Sequence, residues 1–109
     1  MILLTKKIRD KLIKNHLNQD GTKTFKAEVK LFNPTGIGTW YLSELNPETN
    51  MAYGLCDIFE PELGFVSIDE LQEMKLPYGL GIERDLHYIP KHFSDIIFNI
   101  KKPAHIQSR

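Results

Sequence analysis

A chain of 109 residues, 41% hydrophobic and 26% charged, holds enough material for one core and too little for two, since single cores commonly take about 100–150 residues. The lone cysteine, Cys56, excludes an intramolecular disulfide, and no apolar run approaches the roughly 20 residues of a membrane span. Formal net charge is zero, yet residues 1–30 carry eight Lys/Arg against three Asp/Glu, residues 44–85 carry two against ten, and residues 86–109 carry four against one. With no overall positive charge, strong nonspecific nucleic-acid binding is disfavoured, because that affinity comes mainly from counterions released by Lys and Arg. A local basic face remains open, as does mutual neutralisation of the basic and acidic segments within the fold.

Met1-Ile2-Leu3-Leu4 is too short for a signal-peptide core, and its lysines follow rather than precede it; the expectation is a cytoplasmic protein. Thr5 precedes a stretch from Lys6 to Leu17 in which Ile8, Leu12, Ile13 and Leu17 fall on one helical side, with Lys6, Lys7, Lys11 and Lys14 largely elsewhere. Asn18-Gln19-Asp20-Gly21 ends that helix. From Phe25 to Phe32, Phe25, Ala27, Val29 and Leu31 alternate with Lys26, Glu28 and Lys30, which predicts one strand with one wet side. Asn33 to Gly38 is a turn, Thr39 to Leu45 a second strand, and the two form a hairpin. After a turn at Asn46 to Asn50, alternation from Tyr53 to Glu60 predicts a third strand, broken at Pro61, so that three successive strands suggest an antiparallel meander.

Beyond Glu62-Leu63-Gly64 the chain resumes as Phe65-Val66, and Ser67 with Glu70 three places on is a capping box opening a helix from Ile68 to about Lys75. Pro77 stops it, and Ile82 to Ile89 supply a further short strand ended by Pro90. Ser94 caps a last short helix containing Ile96, Ile97 and Ile100, although the same residues suit an edge strand. The predicted fold is thus α+β: a small, mainly antiparallel sheet of three to five strands, an N-terminal helix and a second helix after Ser67. Residues 1–100 are expected to form one domain, and 101–109 a frayed tail.

Leu31-Phe32-Asn33-Pro34, Thr39-Trp40-Tyr41, Tyr53-Gly54-Leu55, Glu62 to Ser67, Glu70-Leu71 and Ile82-Glu83-Arg84-Asp85, read together, resemble a family of short bacterial proteins classed only as a domain of unknown function. The resemblance runs from about Leu4 to Phe93. It implies a genomic setting rather than a chemistry, since members are often encoded on plasmids, integrative elements and prophages, among genes for conjugation or for evading host defences. No catalytic or binding residue carries over. The first helix also runs on through Asn15-His16-Leu17 where relatives tend to break at proline, and the chain extends past Phe93.

Four histidines, His16, His87, His92 and His105, lack the clustered cysteine or carboxylate companions of a metal site, so no metal and no cofactor is expected. Cys56, inside an alternating strand, reads as a small apolar residue rather than a nucleophile. Asp20 with Glu28-Val29-Lys30 superficially matches the spacing of a metal-dependent nuclease, but the surrounding signals of a parallel sheet are missing. Gly79-Leu80-Gly81 is no phosphate loop, since no lysine with serine or threonine follows it.

The densest acidic set is Glu60, Glu62, Glu83 and Asp85, with Arg84 beside it. It either holds a cation, docks a basic protein surface, or forms an internal ion pair between Arg84 and a glutamate that pins the Gly79–Gly81 loop onto the turn after the third strand. Trp40 and Tyr41 are adjacent on a strand, so one ring faces the core and the other is a candidate anchor for a partner or a base. These six residues other than Arg84 constitute the expected partner-binding set of a non-enzymatic protein-binding module of mobile-element origin, an inhibitor or adaptor acting on a host defence or replication component. The alternative is a nucleic-acid-binding accessory protein using Lys7, Lys11 and Lys14 with the exposed aromatic. A third reading, a small metal-dependent nuclease or hydrolase, lacks an assembled site.

Overall fold

A computed structural model describes residues 1–18 and 26–101. The first helix, α1 (Lys6–Leu17), starts where Thr5 Oγ1 accepts the Ile8 N–H, as its N-cap position requires. Strands β1 (Lys26–Ala27), β2 (Val29–Phe32), β3 (Thr39–Asn46), β4 (Met51–Asp57) and β5 (Pro61–Ser67) follow, then helix α2 (Ile68–Glu73) and a 3-10 turn at Pro77–Gly79. Strands β6 (Glu83–Arg84) and β7 (Lys91–His92) and helix α3 (Phe93–Ile100) complete the order. The main sheet runs β5-β4-β3-β2-β6, antiparallel throughout, and β1 pairs with β7 in a separate two-stranded ribbon. This is the α+β architecture that hydrophobic period and turn chemistry predict.

Helices lie on both faces of the sheet. On one, Leu12 of α1 with Leu3 and Leu4 packs on Val29, Leu31, Trp40, Leu42 and Ala52, joined by Ile68 and Leu71 of α2. On the other, Phe93 and Ile96 of α3 pack on Ala27 and Leu55, with Tyr41, Tyr53 and Tyr88 at the margin. Successive strand residues point to opposite faces, which sends Trp40 under α1 and Tyr41 toward α3.

Several details differ from the sequence expectation, among them the strand expected over 82–89, of which only Glu83–Arg84 forms before the chain turns. The strand expected from Phe25 to Phe32 breaks at Glu28, and its buried residues change sides there: Ala27 belongs to the α3 core, Val29 and Leu31 to the α1 core. Phe25 itself lies outside the described residues, as do Asp20 and the segment 102–109. The third strand ends at Asp57 rather than Glu60, because residues 58–60 turn the chain and Pro61, whose missing N–H suits a strand start or an edge, opens β5. The meander therefore has four strands, β2 to β5. The last helix begins at Phe93 with His92, not Ser94, at its N-cap, since Lys91–His92 is drawn into pairing with Lys26–Ala27.

A bulge in β3 shapes the centre. Register with β4 shifts between Leu42 and Glu44, leaving Ser43 as the extra residue. Its carbonyl accepts from Asn15 Nδ2 of α1 at 3.0 Å, so the irregular backbone is hydrogen-bonded by the covering helix. Beside it, Gly54 meets β3 so closely that an added Cβ would lie 2.0 Å from the Tyr41 carbonyl oxygen.

Candidate functional site

Glu60 lies in the β4–β5 turn and Glu62 in β5, whereas Glu83 opens β6 and Asp85 directly follows it. These are the two edges of a five-stranded sheet, four strand spacings or roughly 19 Å apart. The four acids do not form one site. Arg84 is not their counter-ion either: its Nη1 donates to the carbonyl oxygens of Ile2 at 2.7 Å and Leu3 at 2.8 Å, holding the N-terminal segment against the β6 edge.

Asp85 belongs to a second, mixed environment. Its carboxylate accepts the His87 backbone N–H at 2.9 Å and lies 3.5 Å from Lys30 Nζ. The backbone N–H first and Lys30 second hold its pKa below the usual carboxylate range. Lys30 also stands 5.8 Å from the centre of the Tyr41 ring. These residues line an open pocket of about 360 Å³ together with Tyr88 and Ile96. Tyr88 donates its hydroxyl to the Ala27 carbonyl at 3.0 Å, and burial pushes its pKa to about 12. Tyr41 is raised likewise, by burial first and then by Asp57 and Asp85.

Of the two adjacent aromatics, Trp40 is 6% exposed and belongs to the core beneath α1. It offers no surface to a partner, and Tyr41 is the ring that reaches a pocket. Lys7, Lys11 and Lys14 are all exposed on α1. They lie over the sheet face opposite Tyr41, so the basic row and Tyr41 do not share a surface. Glu28, the nuclease candidate beside Lys30, stands 3.4 Å from Asn15 Nδ2, while Lys30 turns to Asp85. Among the described residues, no three His, Cys, Asp or Glu side chains gather where a metal ion could be held. Cys56 has its thiol pKa raised, by burial first and by Glu62 second, which keeps it protonated at neutral pH.

The surface that stands out is an apolar one with acids beside it. Around the β4–β5 turn and along β5, Phe59 is 86% exposed, Phe65 71%, Leu63 50% and Ile58 43%. Ile58 and Phe59 line an open groove of about 460 Å³ together with Cys56, Glu60 and Glu62. The Phe65 ring packs on Tyr53 at 5.1 Å, and Tyr53 in turn on buried Phe93 at 6.5 Å, an aromatic row running from beneath α3 out to the edge. Among the described residues no strand pairs with the outer side of β5. Sequence reasoning reached Glu60 and Glu62 but missed Ile58, Phe59, Leu63 and Phe65, because alternation there reads as a half-buried strand. The available signal was the pair Pro61 and Gly64 in so short an apolar stretch, both typical of an edge.

A family model described as "Protein of unknown function (DUF2958)" matches residues 3–101. The chain belongs to the DUF2958 family. In this DUF2958 protein the match spans every described helix and strand, the β5 edge included. No curated protein and no solved structure matches the DUF2958 chain. No helix among its described residues is long and apolar enough to cross a membrane.

Proposed function

We propose that this DUF2958 protein is a non-enzymatic protein-binding module, an inhibitor or adaptor that acts on a host defence or replication component in the cytoplasm. A mobile-element origin rests on the genomic setting its resemblance implies. The observation that carries the binding reading is the exposed apolar group Ile58, Phe59, Leu63 and Phe65 beside Glu60 and Glu62. Large exposed apolar side chains beside charge are characteristic of interaction sites, because leaving them in water forfeits hydrophobic free energy that a partner would recover. Of the acidic residues expected from the sequence, Glu60 and Glu62 remain in the proposed site, while Glu83 and Asp85 lie at the other edge.

The test is capture from host lysate at matched stability. Phe59→Ser with Phe65→Ser, and separately Glu60→Ala with Glu62→Ala, should each lower recovery of the bound protein at least tenfold. Lys7→Ala with Lys11→Ala and Lys14→Ala should leave it unchanged. The nucleic-acid reading has its own support in the exposed lysine row, spaced i, i+4, i+7 on α1. It predicts the reverse: affinity for DNA or RNA that falls steeply with salt and disappears in the triple-lysine variant.

A further inference from the structure

We infer that the free edge of β5 receives an extended segment of a partner protein as a sixth strand, and that this segment carries lysine or arginine among apolar residues. The inference rests on the protein-binding reading above and names the geometry and chemistry of the partner.

The main chain supplies the first step. In an antiparallel ladder, alternate residues turn both their N–H and C=O to one side. One step beyond the Met51↔Ser67 end of the β4–β5 register, the Ile68 N–H bonds the Asn50 carbonyl at 3.1 Å. Continuing that parity, Glu62, Gly64 and Val66 bond to β4. Leu63 and Phe65 therefore direct their N–H and C=O outward, with the Pro61 carbonyl beside them. The edge is a row of donors and acceptors that no strand among the described residues meets.

Side chains supply the second step. Leu63 and Phe65 project from the face shared with Tyr53, and both are exposed. A helix laid on them would cover the outward N–H and C=O groups without bonding them, which is unfavourable. An extended strand bonds those groups and covers the two side chains at once, the mode of strand addition.

Charge chooses the occupant. From 57 to 73 the chain carries Asp57, Glu60, Glu62, Asp69, Glu70 and Glu73 and no lysine or arginine. A second copy pairing antiparallel about Gly64 would bring the Glu60 end of one strand beside the Asp69–Glu70 end of the other, and like charges would oppose it. A basic segment gains from the same acids. The groove walled by Ile58 and Phe59 and flanked by Glu60 and Glu62 suits the stem and head of a lysine or arginine.

The probes are a capped seven-residue peptide alternating lysine and valine, its glutamate–valine counterpart, and the lysine–valine peptide N-methylated at alternate backbone nitrogens. Each is titrated into the full chain while backbone amide signals are followed by NMR. The lysine–valine peptide should shift the Leu63 and Phe65 amides and slow their hydrogen exchange, and the other two should bind at least tenfold more weakly. Leu63→Pro removes an outward N–H without breaking a bond to β4, and should weaken binding to the same degree. Should that variant fail to fold, the N-methylated peptide tests the same hydrogen bonds from the other side.

The inference is overturned if the lysine–valine peptide shows no saturable binding up to about 1 mM, or binds without moving those two amides. Equal affinity for the N-methylated peptide, or a concentration-dependent dimer built on β5, overturns it as well. Protein capture that still depends on Phe59 and Phe65 in that event leaves the binding reading standing. Loss of both results removes both.

Discussion

Arg84 shows how much of this structure is held by single residues that bridge distant parts of the chain. Its guanidinium caps two carbonyls of the N-terminal segment, while Gln72 of α2 accepts the Leu3 N–H at 3.0 Å and donates to the Met1 carbonyl at 2.6 Å. Hydrogen bonds from a charged donor contribute about 1.5–3 kcal/mol each, and partial exposure brings the pair toward the low end. Arg84→Ala should cost about 2 kcal/mol in chemical denaturation, whereas Glu83→Ala should change stability little. The sequence set Arg84 among acids and suggested an ion pair. Carbonyl acceptors have no signature in a sequence, so the true partners were illegible.

Tyr88 makes a prediction in pH. Its folded pKa of about 12 stands above the unfolded value near 10, so the folded state holds the phenolic proton more tightly. Its contribution is fully present below about pH 10 and is lost as pH rises toward 12. The unfolding midpoint should fall across that window, and less steeply in Tyr88→Phe. Asp85 runs the opposite way: its pKa is depressed, so its contribution is present above about pH 4 and lost on further acidification. Asp85→Asn should flatten the acid limb of the same stability profile.

Elements with a local cause were the readable ones. Helix α1 has its cap and its period within twelve residues, and Ser67 Oγ accepts the Glu70 N–H at 3.1 Å as the capping box requires. The face switch at Glu28 was not readable, because it follows from β1 pairing with β7, more than sixty residues away. Nor was β5, whose place at an edge depends on strand order rather than on its own pattern.

Two glycines on facing strands separate these cases. Gly54↔Gly64 are register partners, yet an added Cβ at Gly54 meets β3 backbone while one at Gly64 meets nothing within 4 Å. Gly54→Ala should therefore destabilise by about 3 kcal/mol, as overpacking against immovable backbone does. Gly64→Ala should stabilise by about 0.5 kcal/mol through the lost backbone freedom of glycine. Urea midpoints of the two variants, compared at equal slope, decide both.

Across the whole molecule, the sheet sets what its charges can do together. Its order places the Glu60–Glu62 end of the acidic stretch at one edge and Glu83–Asp85 at the other, so a run that is dense in sequence becomes two separate neighbourhoods in space. The lysine row of α1 covers a third surface. At β5, acidic side chains and large exposed apolar groups lie along a sheet edge that no described strand pairs with, whereas the β6 edge holds the N-terminal segment through Arg84, which is why the proposed contact surface is placed at β5.

Photocrosslinking in the host cell tests that placement most directly. A benzophenone amino acid is introduced in place of Phe65 in one chain and of Lys11 in another, each at wild-type stability. The β5 surface predicts a discrete protein adduct from position 65 and none from position 11. An adduct to nucleic acid or protein from position 11, with position 65 silent, would contradict it.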